Sequence, residues 1–179
     1  MRNGININKT LLAATALVLS ASATSAYAAS GTVEFTGEIY QSACTVTTAT
    51  KDQTVNIGRY PTSAFPAIGA TSGAKAFTID LENCEPGDYT LRFDGPMVAG
   101  HSDLLSVSVA KGVGIEILDN EEKTFPIGQT VSATDLAYVT IPADGETATF
   151  NLKARYRSFE DSVTEGEANA STSFTIEYR

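Results

Sequence analysis

From residue 31 onward, apolar and polar positions alternate through much of this chain. In "GTVEFTGEIY", residues 31–40, Val33, Phe35 and Ile39 share one parity and Glu34, Thr36 and Glu38 the other. A period of two puts successive side chains on opposite faces, the mark of a half-buried strand. "CTVTT" and "QTVNIGRY", residues 53–60, continue in this style. "AFTIDLENC", residues 76–84, alternates into a cysteine, and a Pro86-Gly87 turn leads into the next strand. Residues 104–110 and 112–120, "LLSVSVA" and "GVGIEILDN", predict two more strands, with "DNEEK" turning after them. "TFPIG" reads as a short edge segment broken by proline. Residues 137–159 predict a hairpin turning at Ala143-Asp144-Gly145. Residues 61–75, rich in Pro, Gly and Ser, read as a loop.

The last strand is "TSFTIEYR", where Phe174, Ile176 and Tyr178 alternate with Ser173, Thr175 and Glu177. Chain ends are usually polar and frayed. This one stops on one of its best strands. No segment after the first thirty residues carries a helical apolar period. Short strands about every 8–12 residues are the habit of an all-β sandwich, and 179 residues favour one domain.

The first residues read differently. Arg2 and Lys9 precede the apolar run "LLAATALVL", too short to span a bilayer, and small residues follow. This is the layout of a secretory signal peptide, 1–28, cut after Ala28, with Ala23 as a second site. The leader holds two of the twelve basic residues and no acids. The mature chain then has 10 basic against 21 acidic residues, a net charge of −11. With no basic stripe, nucleic acid and anionic membranes are poor partners. No later segment is apolar enough to be transmembrane.

Two cysteines in an exported chain, Cys44 and Cys84, point to one disulfide. Two free or metal-bound thiols is the weaker reading, because no C-x-x-C exists and His101 is the single histidine. No catalytic group, metal set or cofactor motif stands out. His101, Ser102 and Asp103 are adjacent in sequence, and a triad must converge in space. Glu121-Glu122 and Glu160-Asp161 sit in polar turns and read as solvated surface. Asn169-Ala170-Ser171 matches a glycosylation sequon, read here as chance.

The leader, the start "GTVEFTGEIYQSAC", the second cysteine in "FTIDLENC", "GVGIEILDN", "FNLKARYRS" and the closing Gly166, Phe174 and Tyr178 together form a pattern. It resembles the major subunits of chaperone–usher pili, type 1 fimbrial pilins in particular, over nearly the whole mature chain. The most specific element is a glycine fourteenth from the end, alternating apolar residues, and tyrosine second from the end.

The resemblance implies an incomplete immunoglobulin-like sandwich lacking its seventh strand. The last strand would then be one wall of an open apolar groove. A periplasmic pilus chaperone lends a strand first, and the N-terminal extension of another pilin subunit replaces it at the outer-membrane usher. By position, residues 29–36 would be the donor extension, with Val33 and Phe35 its apolar residues. Residues 37–179 would be the pilin domain, with Gly37 and Ile39 in its first strand. Gly166, Phe174, Ile176, Tyr178 and the carboxylate of Arg179 would engage the chaperone, and Cys44 and Cys84 would form the disulfide. The implied function is a structural subunit of a surface fimbria that supports adhesion and is no enzyme. A donor of seven or eight residues is short for a long groove, which leaves a minor or terminating subunit as an alternative. A glycan-binding tip adhesin is another, disfavoured by a chain with room for one domain.

Overall fold

A computed structural model describes residues 31–39, 44–131, 136 and 138–178. The leader with both cleavage sites, and Arg179, lie outside the described residues. The chain divides into two units, one ending at Ile39 and the other running from Tyr40 to Arg179.

In the first unit, residues 31–39 form no strand. Val33 is 73% exposed, Phe35 91%, and Ile39 fully so. Gly37 and Ile39, expected with Cys44 in the first strand of the domain, thus lie in no strand, and residues 40–43 between them and Cys44 lie outside the described residues. Alternation makes a strand only where a neighbour takes the backbone hydrogen bonds and the apolar face.

The second unit is a sandwich of two antiparallel sheets. Its elements are β1 (Thr45–Val46), α1 (Thr48–Lys51), β2 (Lys75–Cys84), β3 (Gly87–Asp94), β4 (Met97–Val98), β5 (His101–Ser106), β6 (Val113–Leu118), β7 (Tyr138–Ile141), β8 (Glu146–Ser158) and β9 (Ser173–Tyr178). One sheet has the order β1-β2-β8-β6-β5-β4 and the other β7-β3-β9. The core is the inward parity of each strand. Tyr89, Leu91 and Phe93 of β3 share one buried cluster with Ile79, Leu81, Ile115, Ile117, Phe150 and Leu152 of the larger sheet. Each such side chain contributes roughly 1.5–3 kcal/mol by leaving water.

Cys44 and Cys84 form the disulfide, which ties the start of β1 to the end of β2. The turn in "DNEEK" also forms, where the Asp119 carboxylate accepts the Lys123 backbone N–H at 2.9 Å.

Four strand expectations change. The turn at Ala143-Asp144-Gly145 is present, with Gly145 at φ 78°. Its flanks are not a hairpin: β7 pairs with β3, while β8 pairs with β2 and β6. The turn carries the chain from one sheet to the other. "TFPIG" is not an edge, since Phe125 and Ile127 are fully buried and Phe125 stacks edge-on against Phe93 at 5.3 Å. The strand expected over 104–110 is β5, shifted to His101–Ser106. Residues 53–60 form no ladder, although Val55 and Ile57 pack on the core.

Candidate functional site

That unpaired segment borders a groove. A cavity of about 670 Å³ is lined by residues 53–59 on one side and 168–172 on the other, with Leu105, Ile115, Ile117, Ala154 and Tyr156 as its floor. A second cavity, of about 960 Å³, shares Gly58, Arg59, Tyr156, Ala168 and Asn169 with the first. The two are continuous along the edge of the sandwich.

The C-terminal wall is firmly held. The backbone N–H groups of Val109 and Ala110 donate to the Glu167 carbonyl at 2.9 and 3.0 Å, and that of Ser108 to Asn169 at 2.9 Å. The wall then becomes β9, whose six residues pair with β3 from Ser173↔Asp94 to Tyr178↔Tyr89. On its other side β9 is a sheet edge, with no further strand beside it among the described residues. Phe174 and Ile176 turn inward onto the core.

The opposite wall is pinned mainly at its ends. The Gln53 side-chain amide donates to the Thr78 carbonyl at 2.7 Å, and Tyr60 packs edge-on against Tyr156 at 6.2 Å. Residues 53–60 make no backbone-to-backbone hydrogen bond with other described residues. The backbone of residues 53–59 thus borders the groove without backbone partners among the described residues. The floor is more closed than an open core, with Leu105, Ile117 and Ala154 each at most 5% exposed. Val55 and Ile57 lie against it and cover it.

Tyr156 sits at the junction of the two cavities, and its hydroxyl donates to the Ala168 carbonyl at 3.1 Å. Burial, with Tyr60 adding to it, raises the Tyr156 hydroxyl above the ordinary tyrosine value. It stays protonated and remains a donor at every physiological pH.

Gly166 starts the C-terminal wall at φ 151°, where a Cβ would come within 2.9 Å of Val109 and 3.0 Å of the Ala110 nitrogen. Tyr178 ends it, half-exposed, its ring edge-on to Tyr89 at 5.4 Å. It lies over Gly87, also at φ 151°, where a Cβ would overlap the ring. Gly87→Ala is expected to cost about 1–3 kcal/mol, from the strained backbone and the displaced ring. Urea denaturation of the variant checks it. A loss below a few tenths of a kcal/mol would show that Tyr178 is not held there.

The other polar groups singled out in the sequence do not converge. His101 is half-buried and packs against Phe159 at 5.4 Å. Glu121, Glu122, Glu160 and Asp161 are exposed. No cluster of metal-binding side chains is found among the described residues. Sequence reasoning missed the 53–59 wall and Tyr156. Both carry strand-like alternation, and nothing local says which alternating segment goes unpaired.

The described residues thus form a two-sheet sandwich in which β9 is a sheet edge and a groove runs between residues 53–59 and 168–172. The chain matches the family model described as fimbrial protein over residues 33–179. It is 58% identical to a type-1 fimbrial protein subunit of Serratia marcescens, over 97% of this chain and all of that one. Among solved structures it is similar to the P pilus rod subunit PapA, with a TM-score of 0.65 and 25% identity over 76% of this chain and 99% of that one. It is also similar to a type I fimbria protein of Burkholderia pseudomallei, with a TM-score of 0.58 and 31% identity over 75% and 88% of the two chains. The chain belongs to the fimbrial protein family. Its fold is an immunoglobulin-like sandwich lacking a strand, and it is a structural fimbrial subunit exported through the periplasm to the cell surface.

Proposed function

We propose that this subunit polymerises by strand addition, its groove receiving the N-terminal extension of another copy. The observation that carries this reading is the groove itself: an apolar floor between residues 53–59 and 168–172, the latter leading directly into β9, which is bonded to β3 on one side and is a sheet edge on the other. An exposed strand edge is a template for another chain and an aggregation hazard unless it is covered. The extension is the complementary half, with exposed Val33, Phe35 and Ile39 on one parity.

The exposure of Ile39 supports an extension that runs through residue 39 rather than ending at Thr36. Nine extended residues reach about 30 Å, against about 23 Å for the seven-residue wall 53–59. This length favours a donating, fibre-forming subunit over a terminating one. Before assembly the edge needs a temporary partner, which we assign to a periplasmic chaperone. It would read Gly166, Phe174, Ile176 and Tyr178 and hold the carboxylate of Arg179, and an outer-membrane usher would be the place of exchange. The work of the subunit on this reading is mechanical, and no reacting group is assigned.

Deleting residues 31–39 tests it. Sheared surface material from wild-type cells is expected to run as a ladder on an unheated denaturing gel and collapse to monomer on strong heating, because a packed strand leaves only by reopening the core. The deletion is expected to abolish the ladder while monomer persists in the periplasm. An undiminished ladder from the deletion would refute donation by this segment.

A further inference from the structure

The groove is electrostatically lopsided. Arg59 lines both cavities and is the one basic residue lining either. It is exposed, and it makes no hydrogen bond or ion pair with any described residue. The other three described arginines are all paired, Arg92 with Asp94 and both Arg155 and Arg157 with Glu116. Across the larger cavity, Glu165 and Glu167 line the C-terminal wall, both exposed.

The extension has its own charge pattern. Residues 31–39 contain Glu34 and Glu38 and no base. Both acids fall on the parity opposite Val33, Phe35 and Ile39. When the apolar parity faces the groove floor, the two carboxylates stand at the rim. They approach a subunit whose whole chain carries a net charge of −9 and whose C-terminal wall is acidic. Like charges at this range oppose the encounter.

Resting on the strand-addition reading, we propose that Arg59 determines which strand this groove accepts, by pairing with Glu34 or Glu38 from the extension of a second copy. The guanidinium stands on the compliant wall, across from Glu165 and Glu167, and offsets their repulsion on the side where the strand enters. An exposed ion pair adds little to final affinity. A charge at the rim acts on the rate of encounter and on its salt dependence. The expected signature is therefore kinetic.

The test uses subunit monomers released from fibres by heating and refolded, with labelled peptides of residues 31–39. One peptide is wild type and the other carries Glu34→Lys and Glu38→Lys. Arg59→Glu is expected to slow uptake of the wild-type peptide about tenfold at low salt, and the reversed peptide to restore the rate. High salt should remove the difference. Arg59→Gln, which keeps a polar side chain without charge, should fall between. Equal rates for both peptides on wild type and Arg59→Glu, or a difference that salt does not narrow, would overturn the role of Arg59. A wild-type monomer that takes up neither peptide would overturn the strand-addition reading itself, and the role of Arg59 with it.

Discussion

Replacing Cys44 and Cys84 together with alanine is expected to lower stability by about 4 kcal/mol. The bridge spans a sequence separation of 40 residues. In the chain-entropy account, opening a loop of that size restores conformational freedom to the unfolded state, and about 4 kcal/mol is its size at room temperature. Against the 5–15 kcal/mol typical of whole domains this is a large share. The local structure makes it harder to compensate. β1 pairs with β2 through only Thr45↔Glu82 and Val46↔Leu81. Beyond that short ladder, the segment is held to β2 by the Thr47 N–H donating to the Asp80 carbonyl at 2.9 Å and the Asp80 N–H donating to Thr50 Oγ1 at 3.1 Å, and the bridge is the one covalent tie. Urea titrations of the wild-type and double-alanine monomers measure the loss. A difference below 1 kcal/mol would mean that the unfolded chain is already restricted without the bridge.

Glu116→Ala is expected to cost about 3 kcal/mol. Its side chain is 2% exposed and is held from three sides. Arg155 Nε donates to Oε2 at 2.8 Å, and Arg157 and Thr124 donate to Oε1, each at 2.7 Å. Breaking a buried pair from one side strands the opposite charges, which costs about 3–5 kcal/mol. The lower end applies because Arg155 and Arg157 keep 21% and 23% of their side-chain surface in water and can rehydrate. Glu116→Gln keeps the shape and one acceptor oxygen, able to serve Arg157 and Thr124, but turns an NH2 donor toward Arg155, and should lose less than the alanine variant. If both variants lost equally, the charge alone would account for the loss and the shape and neutral hydrogen bonds of the side chain would add nothing.

The same network predicts a pH dependence. Arg157 also pairs with Asp103. Burial alone would raise the Asp103 carboxyl. The hydrogen bond from Arg157, that from its own backbone N–H, and the charges of Arg157 and His101 outweigh it and hold the group below the ordinary aspartate range. A lowered folded value means that ionised Asp103 favours the folded state. Its contribution is complete above the unfolded value near 3.9 and is lost as pH falls through the lower folded value. Asp103→Asn should therefore flatten the acid limb of the stability profile below about pH 4 and leave its slope near neutrality unchanged. An acid limb as steep as in wild type would rule this out.

How far the sequence was legible depends on the range of the physics involved. The strands of β2, β3, β6 and β8 were visible because burying one face of a strand leaves a period of two, and that pattern is local. The disulfide followed from two cysteines in an exported chain. The C-terminal strand stood out because Phe174, Ile176 and Tyr178 alternate with Ser173, Thr175 and Glu177, the same local period. The four-residue α1 was invisible, too short for any period to register.

Pairing was not legible. The turn at Ala143-Asp144-Gly145 announced a reversal, yet it joins two sheets, because β7 and β8 each find a better neighbour elsewhere. "QTVNIGRY" and "SFTIEYR" look alike on the page, yet residues 53–60 form no ladder with the described residues while Ser173–Tyr178 bonds to β3. By itself the sequence determined an all-β chain, its one disulfide and the apolar parity of its last strand and its extension. Tertiary structure alone decided which edges stay open, that Tyr156 bridges to Ala168, and that Arg59 stands over both cavities with no partner among the described residues. The reason is that alternation records only that one face leaves water, whereas the identity of each backbone and charge partner is set by residues tens of positions away.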